Sequence, residues 1–197
     1  MKKITGKEFK DLIEKDPSWC KDLKEPLKIT GFTRLDYSNI THLSPLITFS
    51  KDDMGWAASF YGCKNLKVAT GTFNGFLQLK ESGIEKIENL TVKGVECSGW
   101  SANFSDCENL KVATGTFTGS VKFSKTKVET IKDLIIKKEN NKGVKANFLD
   151  CPIKYVPREY RGKKFIFNEK IIENSIKKDT RNKTINKIKS ETNNIEL

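Results

Sequence analysis

The sequence predicts a β-rich repeat solenoid that begins with a capping helix and ends in a C-terminal helical or mobile tail. Three observations predict it. Cys63-Lys64-Asn65-Leu66-Lys67-Val68-Ala69-Thr70-Gly71-Thr72-Phe73 recurs 44 residues later as Cys107-Glu108-Asn109-Leu110-Lys111-Val112-Ala113-Thr114-Gly115-Thr116-Phe117. Within that period, apolar and polar residues alternate with period two in two kinds of segment, the mark of strands with one buried face. At each end the pattern gives way to helical spacing.

Residues 1–26 read as the N-terminal helical cap. Thr5 with Glu8 three residues on is a capping box, and Ile4 with Phe9 is placed as the hydrophobic staple beside it. Phe9, Leu12 and Ile13 share one helical face, Pro17 stops the helix, and Trp19 follows. An open end of a stacked repeat needs such a cover.

The repeat occupies residues 27–167. The 44-residue offset carries Gly55-Trp56 onto Gly99-Trp100, Phe60 onto Phe104 and Phe148, and Cys63 onto Cys107 and Cys151. Backward it carries Leu79 onto Leu35, Ser82 onto Ser38 and Ile84 onto Ile40. Strand starts at residues 33, 58, 77, 102, 121 and 146 give about six coils, whose lengths alternate between 25 and 19. Leu77-Gln78-Leu79-Lys80-Glu81-Ser82-Gly83-Ile84-Glu85-Lys86-Ile87-Glu88-Asn89-Leu90 resembles the leucine-rich repeat pattern, as do the runs from Leu35 to Leu46 and from Phe123 to Leu134. The coil around Phe104-Ser105-Asp106-Cys107 is similar to the irregular, cysteine-bearing bacterial variant. The resemblance implies a leucine-rich-repeat-like solenoid that binds partners along a sheet. Ser101-Ala102-Asn103-Phe104-Ser105 has the look of a pentapeptide repeat, but that five-residue period is not sustained. β-Branched stretches such as Asn89-Leu90-Thr91-Val92 and Leu134-Ile135-Ile136 suggest that the outer side is partly extended.

Residues 168–197 are polar, with isoleucines at 171, 172, 176, 185 and 188 in a weak helical stripe. They read as a capping helix that frays into a tail, or as an adhesive arm.

The composition points away from several functions. No run approaches the ~18 apolar residues of a spanning helix, and the basic opening Met1-Lys2-Lys3 has no apolar stretch behind it. The cytoplasm is the expected compartment, with signal-peptide-independent export the alternative. Five cysteines without short spacing fit a reducing compartment. Cys63, Cys107 and Cys151 recur two coils apart, about 10 Å at ~4.8 Å per coil, too far for a disulfide or a shared zinc ion. They are expected as a buried ladder. The single histidine, His42, reads as a turn or surface residue. Gly71, Gly75, Gly115 and Gly119 read as turn glycines with special backbone angles, and Trp56 and Trp100 as core or coil-edge packing, a stacking pair for a ligand being the alternative. No catalytic motif is present, and neither a cofactor nor a metal site is expected; the chain reads as a non-enzyme.

The alternation sets an outward row: Arg34, Asp36, Ser59, Tyr61, Gln78, Lys80, Asn103, Ser105, Lys122, Ser124, Asn147 and Leu149. An extended, polar, repetitive face of this kind suits a protein partner, whose binding would recruit or modulate that partner. The net charge of +11 raises nucleic acid as the alternative. The repeat contributes little to it, and the one concentrated patch is Lys154, Arg158, Arg161, Lys163 and Lys164. Only four of the 36 basic residues are Arg, so bidentate readout is poorly supplied and attraction to nucleic acid would be unspecific.

Overall fold

The computed structural model describes residues 1–162 and 164–193, of which 186–193 by backbone only. The chain begins with β1 (Lys2–Thr5), α1 (Gly6–Lys15), β2 (Leu27–Thr30), β3 (Thr33–Arg34), β4 (Ile47–Phe49), β5 (Trp56–Ser59), β6 (Val68–Phe73) and β7 (Phe76–Gln78). It continues through β8 (Lys86–Val92), β9 (Trp100–Asn103), β10 (Val112–Phe117), β11 (Ser120–Lys122), β12 (Thr130–Ile136), β13 (Ala146–Asn147), a 3-10 turn at Arg158–Tyr160, β14 (Phe165–Ile166) and α2 (Glu169–Asn193).

These strands build two parallel sheets of seven strands each. The first has the order β1-β2-β4-β6-β8-β10-β12, the second β14-β13-β11-β9-β7-β5-β3. This corrects the expected fold class. The protein is a layered arrangement of two parallel sheets with two helices, not a leucine-rich-repeat-like solenoid. The physical reason lies in four β-branched segments, of which only those around Leu90 and Leu134 were expected as partly extended, on the outer side. Val68–Phe73, Lys86–Val92, Val112–Phe117 and Thr130–Ile136 are the longest strands of the molecule and pair with one another. Their threonines and branched aliphatics favour extended backbone. Bulges lie in β8 and β12, where Glu88-Asn89 opposes Thr70 and Lys132-Asp133 opposes Thr114, with Asn89 at φ 49° and Asp133 at φ 51°, and they break the period-two alternation of those strands.

One core fills the space between the layers. From the first sheet Phe49, Phe73, Val92, Phe117 and Ile136 point inward; from the second Leu35, Phe60, Leu79, Phe104, Phe123 and Phe148 meet them, all buried. Phe49 and Phe73 stack at 4.6 Å, and Phe104 touches Phe117 across the layers at 6.2 Å. The connections repeat as strictly as the strands. The side chains of Asp52, Glu96 and Asn140, each 44 residues from the next, accept from the backbone N–H of Trp56, Trp100 and Val144 four residues on.

At the N-terminus, β1 pairs with β2 and α1 packs on β1, β2 and β3. The Thr5–Glu8 capping box is present. Phe9 is fully buried against Phe49 at 5.6 Å and Trp19 at 6.2 Å. The strand before the helix was missed, because Lys2-Lys3 read as a basic opening and Ile4 as the staple of the capping motif.

At the C-terminus, Ile171 and Ile172 of α2 pack on the core while Ile176 and Ile185 are exposed; the side chain of Ile188 lies outside the described residues. The buried Ser175 hydroxyl accepts from Val156 N–H at 3.0 Å. Asp179 then accepts from Arg158 and Arg161 at 2.9 Å and from the Tyr155 hydroxyl at 2.8 Å. Hydrogen bonds from Arg158, Tyr155 and Arg161 hold its carboxyl well below the usual carboxylate range. A carboxylate depressed on folding stabilises the docked state above its ordinary pKa of about 4 and loses that effect as pH falls further. Asp179→Asn is therefore expected to loosen α2 at neutral pH, and to remove an acid-induced undocking step below about pH 4. Amide exchange across Glu169–Thr184 measures both; unchanged protection in the variant would contradict the clamp.

Candidate binding face

The outward side chains of the second sheet are brought into register by its ladder. Arg34 pairs with Ser59, Ser59 with Gln78, Gln78 with Asn103, Asn103 with Lys122 and Lys122 with Asn147. A parallel row follows two residues on, Asp36, Tyr61, Lys80, Ser105, Ser124 and Leu149. Backbone bonds running from Tyr37 N to Tyr61 O, Gly62 N to Lys80 O, Glu81 N to Ser105 O, Asp106 N to Ser124 O and Lys125 N to Leu149 O fix its register. All the side chains chosen from the alternation lie along these two rows. Ser59, Asn103 and Ser105 are buried, so the accessible chemistry comes from the other members of the rows, with Arg34 and Leu149 exposed and Asp36, Tyr61, Gln78, Lys80, Lys122, Ser124 and Asn147 half-buried.

Local contacts hold the rows rigid. Arg34 Nε meets Asp36 at 2.6 Å, and the Ser59 hydroxyl donates to the same carboxylate. Tyr61 donates to Glu81 at 2.8 Å, and Lys80 Nζ lies 3.2 Å from Glu81 and 3.8 Å from Asp106. Hydrogen bonding with Tyr37 and Glu81 raises the Tyr61 phenol above its ordinary value. Bonds from Tyr61 and Lys80 lower the Glu81 carboxyl, and the bond to Glu81 raises Lys80. Near physiological pH this end of the face presents a fixed Tyr–Glu–Lys group in one ionisation state.

Beside it opens a cleft of about 460 Å³ lined by Phe32, Arg34, Asp36, Asp52, Met54, Trp56, Ser59, Tyr61 and Gln78. Phe32, Asp52 and Met54 were missed as site residues, and Trp56 was expected first as core or coil-edge packing, with ligand stacking the alternative. The signal was present in the recurrence of Phe32 at Phe76 and of Trp56 at Trp100, but periodic aromatics read first as core. Trp56 and Trp100 are half-buried, and Trp100 carries the Lys122 ammonium over its ring at 4.6 Å.

The basic patch has a different character. Lys154 is paired with Glu129, Arg158 and Arg161 with Asp179, and Lys164 with Glu139. Arg161 also donates to the Val156 carbonyl and lies over the Tyr155 ring. Lys163 lies outside the described residues. The four described cations tie the last segment to strands and helix. His42 is exposed, with Nδ1 2.8 Å from the Thr41 hydroxyl.

Cys63, Cys107 and Cys151 are buried and free, their thiols donating to the carbonyls of Leu35, Leu79 and Phe123 and touching Ser38, Ser82 and Thr126. Burial pushes Cys107 up to about 11 and Cys20 up to about 12. Cys97 is exposed. One thiol, Cys97, is expected to react with a thiol reagent in the native protein, slowed by the bond to Glu96 that raises it, and the other four only on unfolding; mass spectrometry of the labelled chain counts them. Among the described residues, no group of three or more His, Cys, Asp and Glu is placed to hold a metal ion, and no helix is long and apolar enough to cross a membrane. Gly75 and Gly119 require correction: neither has a positive φ, and what excludes a side chain there is a carbonyl 2.5 Å from where Cβ would stand.

Comparison of the chain with family models, with curated proteins and with solved structures found no match.

Proposed function

We propose that the chain is a non-enzymatic scaffold that binds a protein partner through the outer face of the second sheet. One observation carries this reading: polar side chains in two registered rows across six strands, held by their own ion pairs into a fixed surface. A rigid face of this kind loses little side-chain entropy on binding. The alternative, a nucleic-acid surface after Cys151, has less support, because its described cations are already paired within the chain.

Partner capture from an extract of the native host tests the proposal. Tyr61→Ala with Lys80→Ala should abolish capture. Lys154→Glu with Lys164→Glu, or nuclease treatment, should leave it intact. Capture that resists the first pair of substitutions and is lost with the second, or with nuclease, would transfer the function to the basic segment.

A further inference from the structure

The two closest copies of the repeat differ at one point of the binding face, and the difference points to what the cleft accepts. In the second copy Trp100 is occupied from within: Lys122, on the neighbouring strand, sets its ammonium 4.6 Å from the ring centroid. Subtracting the repeat length maps Trp100 onto Trp56 and Lys122 onto Gln78. Gln78 lies in the same register, two residues past the partner of the tryptophan. It carries no charge, and its side-chain oxygen turns back to accept from Lys80 N–H at 3.2 Å. The first copy thus has the aromatic platform without its cation.

The surroundings of Trp56 are built for that missing group. Phe32 meets Trp56 at an interplanar angle of 76° with centroids 5.9 Å apart, so two ring walls form a corner, and Met54 and Tyr61 extend its lining. Two carboxylates, Asp36 and Asp52, line the same cleft against one cation, Arg34. Arg34 is already bound to Asp36 at 2.6 Å, which leaves the Asp52 charge uncompensated within the cleft. Aromatic faces attract ammonium groups, the more so when partly desolvated, and the aliphatic stem of a lysine suits an apolar wall.

We propose that the cleft formed by Phe32, Trp56, Met54 and Asp52 receives a lysine side chain of the protein partner, which takes the place over Trp56 that Lys122 takes over Trp100. The inference rests on the reading of the second sheet as a binding face and names the partner chemistry that one end of that face recognises.

The test needs no partner. The three tryptophan indole N–H signals of the full chain are followed by NMR while Nα-acetyl-lysine amide, tetramethylammonium or the uncharged Nα-acetyl-norleucine amide is added. Saturable shifts of the Trp56 signal are expected with the two cations and not with the norleucine compound. Gln78→Lys should fill the cleft from within, as Lys122 does at Trp100, and weaken binding of both cations by roughly tenfold or more. Gln78→Met, of similar length and uncharged, should retain it. A Trp56 signal that ignores the cations, equal shifts with the norleucine compound, or equal binding in the Gln78→Lys and Gln78→Met variants would overturn the proposal. Since partner capture is judged separately by the Tyr61 and Lys80 substitutions, the cleft can fail while the binding face stands, and the reverse.

Discussion

Phe123→Ala is expected to lower the unfolding free energy by about 3–5 kcal/mol, the range for deleting a buried aromatic. For a chain of this length that corresponds to a fall in Tm of roughly 10 °C. Phe123 is fully buried and stacks on Phe104 at 5.2 Å and 9° and on Phe148 at 5.1 Å and 6°, and Phe148 continues the column onto Phe167 at 5.1 Å. Removing one ring opens a cavity in the middle of a column that parallel strands on either side keep from closing. The chain supplies its own control, since the equivalent positions one and two repeats earlier are Leu79 and Leu35, both buried. Phe123→Leu should accordingly cost less than half as much as the alanine variant. Chemical denaturation of the two variants measures the difference. Equal losses would mean that the area leucine restores recovers nothing and that ring stacking carries the contribution of the column.

What could be read from the sequence and what could not divide along physical lines. The second sheet was legible because, past the register shifts at Trp56–Ala58 and Trp100–Ala102, the pairs Thr33-Arg34, Ala58-Ser59, Leu77-Gln78 and Val121-Lys122 each place one residue toward the core and one toward the outer face. The binding rows followed from that alternation alone. The first sheet was hidden by the bulges in β8 and β12, where Glu88-Asn89 and Lys132-Asp133 each oppose one residue, so that Ile87 and Leu90, and Ile131 and Leu134, are buried three residues apart. The second layer, and with it the fold class, was lost at those two skips. The cleft was hidden for a different reason. Phe32 and Trp56 recur with the repeat as core residues do, and only coordinates separate an aromatic inside the layers from one on their outer surface. The pairing of the basic patch was invisible because its carboxylates are distant in sequence: Glu129 lies 25 residues before Lys154, and Asp179 lies 18 after Arg161.

The second large effect is expected at Gly75, where alanine should cost at or above the upper end of the ~1–3 kcal/mol typical of overpacking. A Cβ there would stand 2.5 Å from the Gly55 carbonyl oxygen, 2.7 Å from Lys51 Cβ and 3.0 Å from Ala57 N. The carbonyl cannot move freely, because it accepts from Phe76 N–H at 2.7 Å and thereby holds the start of β7 beside β5. Gly119 repeats the arrangement one period later, 2.5 Å from the Gly99 carbonyl, which accepts from Ser120 N–H at 3.0 Å. Gly119→Ala should behave alike. Gly31, one period earlier, has open space around its missing Cβ but a φ of 75°, so Gly31→Ala carries only the left-handed backbone penalty of about 1–2 kcal/mol. The order Gly75 and Gly119 well above Gly31 therefore separates steric exclusion from backbone strain, and denaturation of the three variants reads it directly. Gly75→Ala has a further consequence at the face. Phe76 packs on Trp56 at 4.6 Å, so displacing the Gly55 carbonyl shifts the ring that backs the cleft, and the same variant should weaken ammonium binding at Trp56 while Gly119→Ala leaves it intact.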